Sequence, residues 1–504
     1  MYRDAAQLEA GATLQADVCI AGAGPAGITI ARELRGKGLR VLLLESGAPE
    51  FEQATQDLYK GEATGVGDVK LTGCRVRVFG GTSNWWAGWC RPLEEDDLLT
   101  RPWLPRSGWP LTRADLDPYY QRAHATVQIG AFSYDPEPVA RLAGKPLLPL
   151  DPERVSTVLY QFSPPTNFAK AYGADLEAAE DVEVWFHANV VDVALNDAGQ
   201  AVTHLACRTL DGLDFTVRAN RFVLALGGIE TPRVLLAARS QEPAGVGNAQ
   251  DLVGRHFMEH PHYYTGAFIV FAPDAPVDLY LGKKAGRTVD DDHPGGLDTT
   301  FGLALGLPRA AREAAGVLTM AANLIEVDVA DYDDTPEAVK VTQAASLLRA
   351  PGTRLCVLNI RAEQTPIPQS RVSLLDELDP LGLPRVKLDW QVAEDDLRSV
   401  DHTYRAVAAE LGRNGLGRLW MPQDADGRYL PPSYVGGCHH LGTARMSERP
   451  EDGVVDGDGR VWGLDNLYLA GSSVFPTGGF ANPTLTIVAL AHRLADLLAT
   501  LEAS

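Results

Sequence analysis

Asp17-Val18-Cys19-Ile20-Ala21-Gly22-Ala23-Gly24-Pro25-Ala26-Gly27 decides how this chain begins to fold. A short apolar run enters a Gly-x-Gly-x-x-Gly turn, and residues 26–34 continue with helical character. Arg40-Val41-Leu42-Leu43-Leu44-Glu45 follows as a second strand ending in an acid. Strand, glycine turn, helix, strand and acid in that order make a complete dinucleotide-binding fingerprint. Gly22 permits the tight turn, Gly24 lets a pyrophosphate reach the backbone, and Gly27 lets helix and strand pack closely. Glu45 stands where a carboxylate accepts both hydroxyls of an adenosine ribose. The acid argues against a 2′-phosphate, but the motif alone does not separate NAD from FAD.

The chain has 504 residues, which points to two domains, and 45% hydrophobic residues, enough for a large core. Lys and Arg total 45 against 66 Asp and Glu, a net charge of −21. That balance argues against nucleic acid and anionic membranes as partners. An acidic solvated surface is the ordinary reading; attraction of a cationic substrate such as an amino sugar is the sharper one. No apolar run approaches the roughly 18 residues of a membrane span. Residues 1–16 hold Asp4 and Glu9 and no apolar signal core, so a cytoplasmic location is the default expectation. The six cysteines (19, 74, 90, 207, 356 and 438) show neither a C-x-x-C pair nor metal-ligand spacing. They read as reduced core residues, with Cys438 alone beside a potential catalytic group. No internal repeat is visible.

Further along, Gly80-Gly81-Thr82-Ser83-Asn84 offers bare backbone N–H groups and small hydroxyls, suited to a phosphate or an isoalloxazine edge. Trp85, Trp86 and Trp89 fit either a cofactor wall or a packed domain seam. Residues 162–168 form a rigid polar–aromatic loop, a substrate wall or a structural turn. Residues 182–195 read as two strands and 202–217 add more. Residues 222–232 repeat the strand–glycines–helix pattern and return the chain to the nucleotide domain. His187 reads as structural. His256, His260 and His262 cluster in sequence, but the last two flank a proline without a helical partner, so no metal site is expected.

From 263 to 434 the pattern changes to strand-like runs at 263–271, 318–327, 355–363, 371–374 and 385–390. Helices are expected near 336–348 and 394–411. This fits an antiparallel sheet with helices on one face. The expected divisions are 1–135, 186–262 and 435–504 for the nucleotide domain, 136–185 as a linker or substrate segment, and 263–434 for the substrate domain. Near the C-terminus, Gly437-Cys438-His439-His440-Leu441-Gly442-Thr443 carries a potential base. Phe480-Ala481-Asn482-Pro483-Thr484 then opens a helix with an N-cap and first-turn signature.

Together these motifs resemble the glucose–methanol–choline (GMC) family of FAD-dependent oxidoreductases, over nearly the whole chain. The likeness rests on the first fingerprint with Glu45, on Gly80–Asn84, on Ala225-Leu226-Gly227-Gly228-Ile229-Glu230-Thr231-Pro232, and on His439-x-x-Gly442-Thr443. It ends with Leu469-Ala470-Gly471-Ser472 and Asn482-Pro483-Thr484. Asn482 in place of a second histidine, the run 471–477, and Gln364 before Ser370-Arg371 look most like the pyranose oxidase and fructose dehydrogenase branch. The resemblance implies an α/β FAD-binding Rossmann-like domain plus an α+β substrate domain with an antiparallel sheet.

It also implies that FAD is held by Gly22, Gly24, Gly27, Glu45, Gly80, Gly81, Thr82, Ser83, Asn84, Val190, Ala225, Gly227, Gly471, Ala481 and Thr484. His439, three residues before Gly442, takes the place of the family's base, with Asn482 as its partner; Gln364 and His440 are candidate substrate contacts. A helix opening at Asn482 would aim its positive end at the pyrimidine side of a reduced flavin. One Asn side chain does not easily serve as both N-cap and catalytic group. Trp85 stands where pyranose oxidases often carry the histidine that attaches FAD, so non-covalent FAD is expected.

The implied activity is oxidation of a sugar or glycoside hydroxyl, with an amino sugar or another natural-product alcohol as alternative substrate. Oxygen, a quinone or a cytochrome could accept the electrons, the last two in a dehydrogenase subunit. Homo-oligomerisation is left open. An NAD-linked enzyme would need a second nucleotide fingerprint, which the sequence lacks. A non-catalytic flavin scaffold would be expected to lack His439 and Asn482.

Overall fold

The computed structural model of the protein describes residues 1–67, 69–263, 267–282, 284–286, 299–327, 352–421 and 434–503. The fingerprint strands Thr13–Ala21 and Val41–Leu44 run parallel, with Val18 opposite Val41, and their apolar residues are buried. Apolar runs of this kind belong to sheets covered by helices on both faces. Pro25–Leu34 links them; Gly24 is its extended N-cap, and Pro25 opens it where a missing N–H costs nothing.

The sheet built on this unit runs Tyr2–Asp4, Val182–Phe186, Val41–Leu44, Thr13–Ala21, Asp214–Leu224, Val202–Arg208, Asn189–Leu195. Its first five strands are parallel and its last two antiparallel. Leu467–Leu469 pairs parallel with the far end of Asp214–Leu224. Two sequence expectations change here. Asp214–Leu224 is one strand where two separate runs were expected. The boundary expected at 185/186 cuts Val182–Phe186, which lies wholly in the nucleotide sheet.

Pro25–Leu34 packs against Thr484–Ala503, which packs in turn on Arg113–Thr126. Contrary to the sequence expectation, residues 484–501 are long and apolar enough to match a membrane span by length and composition. Here, however, Leu485, Val488, Leu494 and Leu498 are buried in the core, and His492 Nε2 meets Thr126 Oγ1 at 2.9 Å.

The second body is an antiparallel sheet in the order Gly417–Trp420, Phe268–Phe271, Arg354–Ala362, Met320–Glu326, Thr299–Gly306, Ser156–Phe162, Trp89–Cys90. Helix Glu394–Arg413 covers it, burying Val400, Tyr404, Val407 and Leu411 in one core with Cys356, Leu358 and Ile360. The helix expected at 336–348 lies outside the described residues. A small sheet of Arg371–Leu378, Pro384–Trp390 and Gly61–Gly65 ties the first chain segment to the later ones.

One pairing positions the site. Pro261–Tyr263 runs antiparallel to Tyr434–Gly436. Past it, Met258 and Leu441 exchange N–H to carbonyl bonds of 3.1 and 2.9 Å. Residues 437–441 are thereby laid against 258–260. Gly442, Ala444 and Met446 then donate to the carbonyls of Ser472, Ser473 and Val474.

Candidate active site

A cavity of about 530 Å³ runs from the first glycine turn to His439 and Asn482. Its glycines divide by what a side chain would meet. At Gly22 (φ +102°) a Cβ would lie 2.5 Å from the Ala225 carbonyl oxygen, and at Gly27 1.9 Å from that of Gly22. Those two hold the turn shut. At Gly24 the nearest neighbour is 4.0 Å away, and at Gly227 and Gly471 there is none within 4 Å. These three leave bare backbone facing the cavity, as a close-lying pyrophosphate and ring require.

Glu45 accepts from Ala23 N–H at 3.0 Å and Gly47 N–H at 2.8 Å, so it braces the turn while also lining the cavity. Beside it, Glu230 is clasped by Arg75 and Arg77. Burial works against its charge, but Arg77, Arg233 and Arg75 hold its carboxyl down at about 2. Pro483 and Thr484, opening the 20-residue helix Thr484–Ala503, bring a positive helix end to the wall. Bare glycine backbone, an acid past the turn and a helix end on one cavity fit a dinucleotide with a ring at its far end. The residues present suit FAD.

At the far end, half-buried His439 is held from three sides. Its N–H donates to Glu259 Oε2 at 2.8 Å. Asn482 Nδ2 meets His439 Nε2 at 3.0 Å, and His260 Nδ1 meets His439 Nδ1 at 2.9 Å. His260 Nε2 lies 3.3 Å from the Gly478 carbonyl, which can only accept, so that nitrogen carries the proton. Burial holds His260 neutral, its pKa lowered to about 4. Its Nδ1 is then bare and accepts from His439 Nδ1–H. The lone pair of His439 is left on Nε2, toward Asn482 and the cavity. Burial first, then the neighbouring His260, His262 and Arg361, push His439 well below the ordinary histidine range.

Glycines make this crowding possible. A Cβ at Gly437 would sit 2.7 Å from His262 Nε2 and 2.9 Å from His439 Nδ1. Thr443 Oγ1 anchors the strand by donating to the Gly228 carbonyl at 2.6 Å.

The remaining expectations fare differently. Gly81, Thr82, Ser83, Val190 and Ala225 line the cavity, as do Trp85, Trp86 and Trp89. Gly27, Gly80, Asn84 and Ala481 shape the wall from behind. Asn84, for example, spends its amide N–H groups on the Phe79 and Gly81 carbonyls and its oxygen on Asn167. Gln364 is not a substrate contact: its oxygen accepts from Glu259 N–H and Trp390 Nε1, its amide donates to the Gln391 carbonyl, and it is 1% exposed.

His440 lines the cavity with Nε2 3.2 Å from Glu259 Oε1, in ion-pair range. Burial pushes Glu259 up to about 7 against that pairing. Asn482 does not cap its helix through its oxygen, which has no hydrogen-bond partner. His187 bonds Asp4 and Glu52, a structural role. Residues 162–168 finish a strand and brace the loop at Gly88. Cys74 and Cys438 are not core residues; the first is half-buried and the second exposed.

Sequence reasoning missed Glu259, His260, His262, Arg361 and Cys74, all of which surround or line this end. The histidine-rich stretch at 256–262 was the available signal. Its meaning depends on the pairing with 436–441.

A nucleotide-type parallel sheet, an antiparallel second body and an imidazole–amide pair on their shared cavity define a flavin-dependent oxidoreductase. The family models agree: residues 17–244 match "FAD dependent oxidoreductase" and residues 366–491 match "GMC oxidoreductase". The chain belongs to the GMC family of FAD-dependent oxidoreductases. It is 26% identical to the fructose dehydrogenase large subunit of Gluconobacter japonicus, over 61% of this chain and 52% of that one. It is 30% identical to paromamine 6'-oxidase of Streptomyces fradiae, over 60% and 50%. The chain thus spans about half the length of these two relatives. Among solved structures, an Aspergillus oryzae formate oxidase variant superposes with a TM-score of 0.58 at 18% identity, covering 98% of this chain and 100% of that one. That likeness speaks to the fold.

Proposed function

We propose that the protein oxidises an alcohol, a sugar or glycoside hydroxyl, to a carbonyl, with His439 as general base. The observation that carries this is the 3.0 Å contact of His439 Nε2 with the Asn482 amide on the wall of the cavity that fits FAD. When bound, the flavin supplies a hydride acceptor. His439 Nε2 takes the hydroxyl proton, and Asn482 Nδ2 donates to the same oxygen and fixes the carbinol's orientation. A base held neutral by burial is ready to accept without first losing a proton of its own. Trp89 and Arg361, the latter stacked 3.7 Å over that indole, wall the substrate side with His262. The sugar class is supported by the likeness to fructose dehydrogenase and to paromamine 6'-oxidase.

An aminated alcohol is the second reading. The net charge of −21 favours it, as does the likeness to paromamine 6'-oxidase. FAD is held without a covalent bond, since Trp85 stands in the attachment segment; acid precipitation should strip the yellow colour from the protein. The deciding experiment is anaerobic mixing of the holoenzyme with sugars, glycosides and amino sugars, following bleaching of the visible flavin band. His439→Ala should slow that bleaching by roughly 10²- to 10⁴-fold. An unchanged single-turnover rate would remove His439 from the reaction. Added salt should slow the approach of an aminated alcohol and leave a neutral one unaffected if the charge steers substrate.

A further inference from the structure

Of the six cysteines, four are buried and inert: burial pushes Cys90 and Cys356 up to about 12, and Cys19 and Cys207 upward as well. Cys74 and Cys438 differ in every respect. They come from segments 364 positions apart, yet both line the cavity, and their thiols lie close enough to act on each other's ionisation. Cys74 is also within electrostatic reach of His440 and Arg75, and Cys438 of Glu259.

Of the two thiols, Cys74 is the one driven toward its thiolate and Cys438 the one held as a thiol. The neighbouring Cys438 thiol, then His440 and Arg75, outweigh burial and bring Cys74 down to about 4. Cys438 is driven upward by the same contact. Its backbone is left-handed at φ +59°, a conformation a non-glycine residue seldom holds outside a functional or strained site. It is also the residue directly before His439. A thiolate with a protonated partner thiol beside it, reachable from solvent, is the arrangement of an attacking and a resolving cysteine.

We propose that Cys74 and Cys438 form a reversible disulfide that switches off the site, with a hydroperoxide as oxidant. The Cys74 thiolate attacks the distal peroxide oxygen; the O–O bond breaks, the alcohol or water leaves with one proton, and Cys74 becomes a sulfenic acid. The Cys438 thiol then attacks that sulfur, the S–O bond breaks and water leaves. In sum, two thiols lose two protons and two electrons, and one peroxide is reduced. Hydrogen peroxide is what an enzyme of this class releases when oxygen is its acceptor, so the switch would answer its own product.

Closing the bond draws the sulfurs to about 2.05 Å. Cys74 is fixed to its own turn by an N–H bond to the Lys70 carbonyl at 3.1 Å. The strained 437–439 backbone is the side that yields, and it carries His439 out of register with Asn482 and His260.

The test begins without any alcohol. Holoenzyme is treated with stoichiometric hydrogen peroxide, denatured under non-reducing conditions and mapped by mass spectrometry. A peptide pair linking residues 74 and 438 is expected, with two thiols lost to titration and both regained with dithiothreitol. Cys74→Ser and Cys438→Ser should each abolish the linked pair. Free thiols at both positions, or sulfinic acid on either without a link, would overturn the proposal. This part is independent of the substrate reading. The gating part rests on His439 as base: the oxidised protein should reduce its flavin roughly 10²-fold more slowly with a working alcohol, recovering with dithiothreitol. A linked protein that reduces its flavin at the untreated rate would overturn the gating.

Discussion

At the scale of single residues, His439 depends on a neighbour the sequence did not pair with it. His260 acts through His439 and not on substrate; by accepting at Nδ1 it keeps the lone pair of His439 on Nε2. His260→Phe should therefore slow flavin reduction by roughly 10- to 100-fold, less than loss of the proposed base His439, with little change in substrate affinity. An equal rate would leave the tautomer set by Asn482 alone. The same histidine links stability to pH. Its folded pKa, about 4, lies below the ordinary 6.5, so its contribution is present above pH 6.5 and is lost as pH falls toward 4. Over that window it amounts to roughly 3 kcal/mol. Denaturant melts of His260→Phe should show a correspondingly flatter acid limb; a slope identical to wild type would place the titration elsewhere. That His439 and Asn482 would meet was expected from the family resemblance, His439 by its place three residues before Gly442 and Asn482 by its Asn-Pro-Thr motif, and the two side chains do meet at 3.0 Å. His260 was not expected there, because nothing local in 254–262 says which strand it will lie against.

At the scale of elements, the fingerprint was read correctly because its physics is local. Glycines, the first-turn proline and the acid are all within about one βαβ unit. The second and third glycines of the fingerprint nevertheless make opposite predictions. Gly24 is already in an extended conformation open to any residue, φ −84°, with its nearest obstacle 4.0 Å away. Gly24→Ala should fold and melt like wild type without cofactor, but purify largely colourless, because the methyl occupies the room left for the pyrophosphate. Gly27→Ala puts a methyl 1.9 Å from the Gly22 carbonyl, forcing helix and strand apart, and should cost roughly 1–3 kcal/mol or more. Melting curves and the visible flavin band separate the two, and a Gly24→Ala protein with full flavin content would deny that the turn holds FAD. Elements with long-range partners were harder to read. Thr299–Gly306 and Ser156–Phe162, paired across the second sheet, went unrecognised because their strand character comes from each other. Gln364 looked like a substrate ligand from its motif. It serves instead as the brace that receives the Glu259 N–H.

At the scale of the whole molecule, the two bodies are joined by buried charge as well as by apolar packing. Arg101, from the loop leading to Arg113–Thr126, donates to both oxygens of Glu363, just past the end of strand Arg354–Ala362, at 2.8 and 2.5 Å. Glu363 also accepts from Thr319 N–H and Oγ1, and neither charge reaches solvent. Asp97 lies 3.9 Å from the same guanidinium; burial, then the Glu363 charge, push it up to about 8. Two carboxyls therefore lean on one cation. Removing that cation strands a buried carboxylate, at a cost of roughly 3–5 kcal/mol, whereas removing the pair together leaves no uncompensated charge. Arg101→Met should be strongly destabilised and Arg101→Met with Glu363→Gln markedly less so, in urea melts of the holoenzyme. The sign with pH follows. Without Arg101, Glu363 is a buried acid whose folded pKa lies above its unfolded one. Its protonated form supports folding below pH 4.5, and that support is lost as pH rises through the folded value. The Arg101→Met defect should accordingly grow from pH 5 to pH 8. A defect of equal size at both, or one the second substitution does not relieve, would mean that packing around the Arg101 stem, and not its charge, holds this seam.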